Sequence, residues 1–319
     1  MGKHRRRKRL NPRFLVLVAL AFFFLGLLIF GVPSCFHSTE PEETTTEPTE
    51  DTTQKNGWME ENGLKYYVNQ DGSRATGWME LDGRKYLLDS NGFIQTGWIN
   101  DLYFLEDGSM ATGKVEIAGT IYFFTSQGKS IIIANPWNPI PEDYAPDLVP
   151  LGMDISVEGS QVDKCCYDAL VQMLSDCNKE CPQVCVVSSY RTHEYQTNSY
   201  NRKVQYYLSL GYSQDEAQRE AATIIAVPGT SEHQLGLAVD IIDTRLWALE
   251  EEQADLPAQQ WLMENSWRYG FILRYPKDKI HETGIIYEPW HYRYVGIELA
   301  AELHDLGITL EAYLQNLTR

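Results

Sequence analysis

The sequence predicts three unlike parts in one chain: an α+β globular domain after residue 134, an all-β array of hairpin repeats before it, and one membrane-spanning helix near the N-terminus. Three observations carry this reading. Residues 14–32 form an uncharged run of 19 residues. Residues 57–132 repeat with a period of about 20 residues. Beyond residue 141, helix-like and strand-like stretches follow one another without regular βαβ alternation, the pattern of an α+β domain.

At the N-terminus, seven of the chain's 27 basic side chains lie in residues 1–13, beside no acid, although the whole chain has 44 acidic groups and a net charge of −17. So acidic a body argues against nucleic acid as the partner, because a phosphate backbone needs a basic surface. The basic tip instead marks the cytoplasmic side of the 14–32 run, which is long enough to cross a bilayer core of about 30 Å. A cleaved signal peptide fits less well, since its apolar region is usually shorter and no A-x-A site follows. Pro33, two positions before Cys35, fits a lipidation signal poorly. The expectation is an uncleaved single-pass anchor in the cell membrane, with the N-terminus inside and everything after it outside. Residues 33–56 then read as a disordered stalk: from 38 onward they are mostly Thr, Glu and Pro and have nothing large and apolar to bury.

The repeats occupy 57–134. GWMEENGLKYYVNQDGSRAT (57–76) is followed by GWMELDGRKYLLDSNGFIQT (77–96), a shortened unit at 97–112 and a fourth at 113–132 that begins with Gly-Lys. Each alternates aromatic and polar residues and then carries a D-G, N-G or Q-G turn, the sequence of a small β-hairpin. A unit this short cannot bury its own apolar face, so a stacked β-solenoid is expected. The units resemble the choline-binding or cell-wall-binding repeat family through Trp58, Trp78 and Trp98 and through the aromatic strand positions Tyr66, Tyr67, Tyr86, Tyr103 and Phe104. Lys65 and Lys85 stand where that family's triplet has tryptophan. A lysine repels the cation that an aromatic cage attracts, which argues against choline and leaves a structural spacer or a cell-wall glycan or teichoic-acid binder.

After a proline-punctuated linker (135–141), helical patterns are expected over 160–177, 194–210, 214–226, 258–267 and 295–306, the last as the closing helix. Strands are expected over 184–188, 237–242, 270–274 and 290–294. Cys165, Cys166, Cys177, Cys181 and Cys185 crowd one stretch. Structural zinc usually draws on paired C-x₂₋₄-C halves and no companion half exists, so these read as small buried hydrophobes with room for one disulfide.

Two clusters carry chemistry: Ser231-Glu232-His233-Gln234-Leu235-Gly236-Leu237-Ala238-Val239-Asp240 and Glu288-Pro289-Trp290-His291-Tyr292. Catalytic zinc commonly takes three ligands from His, Asp and Glu and keeps a fourth position open; His233, Asp240 and His291 supply such a set. Asp240 lies in an apolar run, where a carboxylate is costly unless paired or metal-bound. Gly229 and Gly236 permit tight backbone turns. Glu288 is placed to act as general base on a water. The competing structural reading is a buried His–Asp hydrogen bond and an unrelated second histidine.

These motifs, together with Ser188-Ser189-Tyr190-Arg191-Thr192-His193-Glu194-Tyr195-Gln196, resemble the D-Ala-D-Ala carboxypeptidase family related to VanY and to L,D-carboxypeptidases, over roughly residues 145–319. The resemblance implies a hedgehog/D,D-peptidase-like α+β fold whose antiparallel sheet holds one zinc ion at His233, Asp240 and His291. It further implies Glu288 as base, Arg191 at the substrate's carbonyl or carboxylate, and Ser231 and Gln196 at the end of the substrate peptide. Tyr292 beside a buried strand reads as core, His193 as incidental, His281 as part of an exposed loop and His304 as solvated beside Asp305. The expected activity is removal of a C-terminal D-Ala from peptidoglycan stem peptides, D,D- or L,D-, by a zinc metallopeptidase. An endopeptidase of the same chemistry and a non-catalytic cell-wall binder are the alternatives.

Overall fold

The computed structural model describes residues 56–318. The basic tip, the apolar run at 14–32, Cys35 and nearly all of the stalk lie outside the described residues. Among the described residues, no helix is long and apolar enough to cross a membrane.

The repeats are antiparallel hairpins: β1 (Gly57–Glu61) with β2 (Leu64–Val68), β3 (Gly77–Leu81) with β4 (Arg84–Leu88), β5 (Gly97–Ile99) with β6 (Leu102–Phe104), and β7 (Gly113–Ile117) with β8 (Thr120–Phe124), the last extended by β9 (Ser130–Ile132). The hairpin turns differ from the sequence expectation. The chain reverses at Asn62-Gly63 and Asp82-Gly83, where both residues have positive φ, as a two-residue turn matched to strand twist requires. The Asp71-Gly72, Asn91-Gly92 and Asp107-Gly108 dipeptides come after the second strand and link one hairpin to the next. Each long unit thus holds two turn dipeptides, and periodicity alone does not say which one closes the hairpin. Successive units stack: Ile94 N–H donates to the Lys65 carbonyl (2.9 Å) and Met110 N–H to the Lys85 carbonyl (2.7 Å). The Trp58 and Trp78 rings pack edgewise or tilted on Tyr86 and Phe104 of the next unit, at 5.0 and 5.8 Å.

The C-terminal half opens with a short hairpin, β10 (Leu148–Pro150) and β11 (Gln161–Asp163), absent from the sequence expectation. Helix α1 (Lys164–Glu180) starts where the Asp163 side chain accepts from Cys165 N–H, then buries Cys166, Leu170, Met173, Leu174 and Cys177 on one side. Strand β12 (Val184–Ser188) leads to α2 (His193–Ser209) and α3 (Gln214–Ala222), which pack on each other through Val204, Ala217 and Ala221. Then come β13 (Ala238–Asp243), α4 (Pro257–Asn265), β14 (Phe271–Leu273), the one-turn α5 (Ile280–Thr283), β15 (His291–Tyr294), α6 (Ile297–Leu306) and α7 (Leu310–Leu317). The four strands form one antiparallel sheet in the order β12-β13-β15-β14. Val239, Ile241 and Tyr292 turn one face of it into the main core with α1. By the two-residue period of a strand, Asp240 and His291 belong to the other face. The closing helix is α7, not α6: Gly307 ends α6 at φ 63°, and the Thr309 hydroxyl caps a new helix.

The repeats and the helices that follow the 134/135 boundary share contacts. The described residues belong to one compact unit. Phe123, Ile131 and Ile133 pack with Leu299, Leu303, Leu310 and Leu314 in a second core. The five cysteines among the described residues are all free, and Cys165 is exposed rather than buried. Burial pushes the Cys166 and Cys177 thiols up to about 12, which makes them inert packing groups.

Candidate metal centre

Strand register builds the site. Asp240 on β13 lies directly opposite His291 on β15 and, on its other side, opposite Ser188 on β12. A short helical turn, Glu232–Leu235, ends at Gly236 with φ 72° and brings His233 over the same face. A Cβ at Gly236 would stand 3.0 Å from the Asp163 backbone nitrogen, so glycine is required there for both conformation and space. His233, Asp240 and His291 offer ligand atoms that all lie within 4.8 Å of one another, and all three residues are buried.

The hydrogen bonds show what this cluster lacks. His233 Nδ1 lies 2.8 Å from the Ser189 carbonyl oxygen. A carbonyl only accepts, so Nδ1 carries the proton and the neutral ring's Nε2 is a bare lone pair. That Nε2 faces Asp240 Oδ2 at 3.2 Å. Burial and the nearby Arg191 charge hold the His233 pKa down to about 4, which removes a second proton as the remedy. Burial pushes the Asp240 carboxyl up, but the His291 hydrogen bond and the Arg191 cation outweigh it and hold it well below the usual carboxylate range. Two acceptors facing each other at that distance call for a cation between them. His291 repeats the pattern. Its Nδ1 is 3.1 Å from Asp240 Oδ1, and its buried Nε2 has no partner among the described residues, so either tautomer leaves one nitrogen unmatched. A divalent cation that prefers nitrogen and carboxylate ligands fits this set.

Glu288 Oε2 is 3.6 Å from His291 Nδ1. Burial, then the Asp240 charge, push the Glu288 carboxyl well above its ordinary range, with Arg191 opposing. Arg191 donates from Nη2 to Asp240 Oδ2 (2.8 Å) and to the Ser188 hydroxyl (2.9 Å). Ser231, the residue before the helical turn, makes no capping hydrogen bond and lines the same pocket, a cavity of about 170 Å³. Gln196 does not line it. This fully buried amide donates to the Ala226 carbonyl (2.7 Å), and Ala226 forms part of the wall. The structure therefore brings together His233, Asp240, His291, Glu288, Arg191 and Ser231, and puts Gln196 behind them.

Other histidines fall elsewhere. His193 sits in the first turn of α2, with Nδ1 3.3 Å from Gln234 Nε2. His281 lies on α5 rather than in a loop, with its side chain 70% exposed. His304 is not simply solvated: its ring stacks on Trp267 at 4.6 Å. Tyr292 is core, fully buried with its hydroxyl donating to Gln259 Oε1. Sequence reasoning missed Tyr275, whose buried ring lies 4.7 Å from the His291 ring and lines the pocket. It also missed the Ser189 carbonyl that sets the His233 tautomer; a backbone atom leaves no signal in residue types.

Residues 159–297 match the family model described as VanY, D-alanyl-D-alanine carboxypeptidase. A D-alanyl-D-alanine carboxypeptidase of Enterococcus faecalis is 43% identical over 185 residues, which are 58% of this chain and 65% of that protein, so the chain spans just under two thirds of this relative. Among solved structures, the vancomycin resistance D,D-pentapeptidase VanY in complex with Zn(II) is 42% identical, with TM-score 0.51, covering 57% of this chain and 97% of that one. The LdcB LD-carboxypeptidase is 34% identical, with TM-score 0.52, covering 57% and 84%.

Proposed function

This chain belongs to the VanY family of D-alanyl-D-alanine carboxypeptidases, and we propose that it is a zinc-dependent carboxypeptidase removing the C-terminal D-Ala from peptidoglycan stem peptides, D,D- or L,D-. The observation that carries this reading is the bare His233 Nε2 facing the Asp240 carboxylate, beside His291 and within a pocket that also holds Glu288. His233, Asp240 and His291 would hold the ion. Zinc at such a site supplies Lewis acidity, bringing the pKa of a water molecule near 7 and polarising a carbonyl.

The chain's own groups do the rest. Glu288, lifted in pKa by burial and by Asp240, takes a proton from the attacking water and returns it to the leaving amine. Arg191 keeps a fixed cation at the pocket, where its fork meets the substrate's carbonyl or carboxylate oxygens. Ser231 offers a hydroxyl to the end of the substrate peptide. Gln196 acts on the substrate through Ala226, whose carbonyl it fixes.

The stacked hairpins fit a β-solenoid that holds the enzyme on a cell-wall polymer. The exposed side chains of Lys65 and Lys85 favour a ligand other than a quaternary ammonium. An anchor at 14–32 and a stalk at 33–56 would place the enzyme outside the cell membrane, where its substrate lies.

The test incubates residues 38–319 and zinc with stem tetrapeptide and with pentapeptide, following release by mass spectrometry, with Glu288→Gln as control. D-Ala released from the pentapeptide alone makes it a D,D-enzyme, and release from the tetrapeptide alone an L,D-enzyme. A released peptide instead of D-Ala makes it an endopeptidase. No cleavage by zinc-loaded protein would sink the reading.

A further inference from the structure

Behind the metal centre lie four charges that the reaction does not use. Glu232 is fully buried, Arg274 and Arg293 are each 1% exposed and Glu311 6%. Arg274 Nε donates to Glu232 Oε2 (2.9 Å) and its Nη1 to Glu311 Oε2 (2.8 Å). Arg293 Nη1 donates to the other Glu232 oxygen (2.7 Å) and its Nη2 to the Ile132 carbonyl (2.6 Å). Asn135 Nδ2 donates to Glu311 Oε1 (3.1 Å). The two arginines and two carboxylates cancel, and both carboxylates are bonded at both oxygens.

We propose that this network is the positioning device of the metal centre and that the end of the repeat segment and the start of the linker, through Ile132 and Asn135, are working members of it. The inference rests on the zinc reading above. Three of the four charges are tied to a metal-facing residue, and Glu311 holds Arg274 among them. Glu232 immediately precedes His233. Arg274 donates its backbone N–H to the His291 carbonyl (3.1 Å) and precedes Tyr275, which packs on the His291 ring. Arg293 follows His291 by two residues on β15 and pairs with Ala238 on β13. One rigid set of forks thus fixes three segments that converge on the site. Stability is a poor reason for it, because apolar packing in place of a buried ion pair is often as stabilising or more so. Directional forks suit position better, since each bond holds only near one orientation.

The experiment uses the whole chain in three forms: parent, Glu232→Met with Arg293→Met, and Asn135→Ala. The paired change removes one charge of each sign and leaves Arg274 balanced by Glu311. Zinc affinity is read by competition with a chelating indicator, alongside kcat and KM on the pentapeptide and Tm of the zinc-free protein. The expected result for the paired variant is a zinc affinity lower by about 10- to 100-fold, the usual cost of losing support behind a ligand. Its kcat falls while KM stays within about twofold, since the pocket lining is untouched. Asn135→Ala strands no charge and should weaken zinc by about threefold, which keeps the test decisive if the paired variant fails to fold. Folded variants with the parent's zinc affinity and kcat would overturn the proposal. A parent that binds no zinc would overturn the zinc reading itself, and this inference with it.

Discussion

Asp240 and Glu288 are two carboxylates near the same imidazole, 3.1 and 3.6 Å from His291 Nδ1, yet their surroundings push them in opposite directions. Asp240 lies against His291 and the Arg191 cation and stays ionised; Glu288 is buried beside another negative group and holds its proton readily. Such a split separates a ligand from an acid–base group. Glu288→Gln should therefore lower kcat by about 10²- to 10⁴-fold while the purified protein keeps one zinc. Asp240→Asn should lose the zinc. Metal analysis beside single-turnover rates checks both, and a zinc-free Glu288→Gln protein would reverse the assignment. Asp240 was legible in the sequence because a carboxylate inside Leu237-Ala238-Val239 and Ile241-Ile242 needs a partner. Gln196 shows the limit of such reading. A motif position fixes where a residue lies along the chain, but not that its amide turns to the Ala226 carbonyl instead of into the pocket.

Strands and helices with a clear apolar period were legible to within a few residues: β12 spans 184–188 as expected, and α2 begins one residue early. Elements set by tertiary contact were not. Strands β10 and β11 have three residues each, too few for a period, and α7 follows α6 so closely that only Gly307 and the Thr309 cap divide them. The junction of β13 and α4 shows how elements are tied. Asp243, buried at the end of β13, accepts from Arg245 Nε (2.8 Å) and from the Ala258 N–H (3.2 Å) in the first turn of α4, where an anion also meets the helix dipole. Burial pushes the Asp243 carboxyl up, but the Arg245 and Ala258 bonds outweigh it and leave it below its ordinary value. The unfolded chain therefore binds a proton more readily than the folded one. Asp243 contributes stability that is present above pH ~4, its unfolded pKa, and lost as the pH falls through its lower folded value. Thermal unfolding of Asp243→Asn against parent should show a deficit at pH 6 that shrinks below pH 4. A deficit that stays constant to pH 2.5 would mean that the carboxylate charge is not what ties β13 to α4.

At the scale of the whole molecule, the 20-residue period suggests a stack of like hairpins followed by the enzyme. The first three units stack in this way, and the last packs on the enzyme as well. Phe123, Ile131 and Ile133 alternate like any repeat, so the sequence assigns them to the stack, and only the structure shows them packed on Leu299, Leu303, Leu310 and Leu314 of α6 and α7. A cut at 134/135 removes these three large side chains, each worth about 1.5–3 kcal/mol when fully buried, and leaves four leucines facing water. The loss is on the order of 5 kcal/mol, comparable with the whole stability of many domains at about 5–15 kcal/mol. A cut at 112/113 keeps that core and opens only the contact between stacked hairpins, chiefly Trp98 against Tyr122 and Phe124. Residues 113–319 should therefore melt cooperatively close to the parent, whereas residues 135–319 should melt far lower or remain partly unfolded. Scanning calorimetry of the two pieces, with and without zinc, decides it. Equal melting temperatures would mean that the fourth hairpin is a spacer after all, and the catalytic body would then begin at the linker.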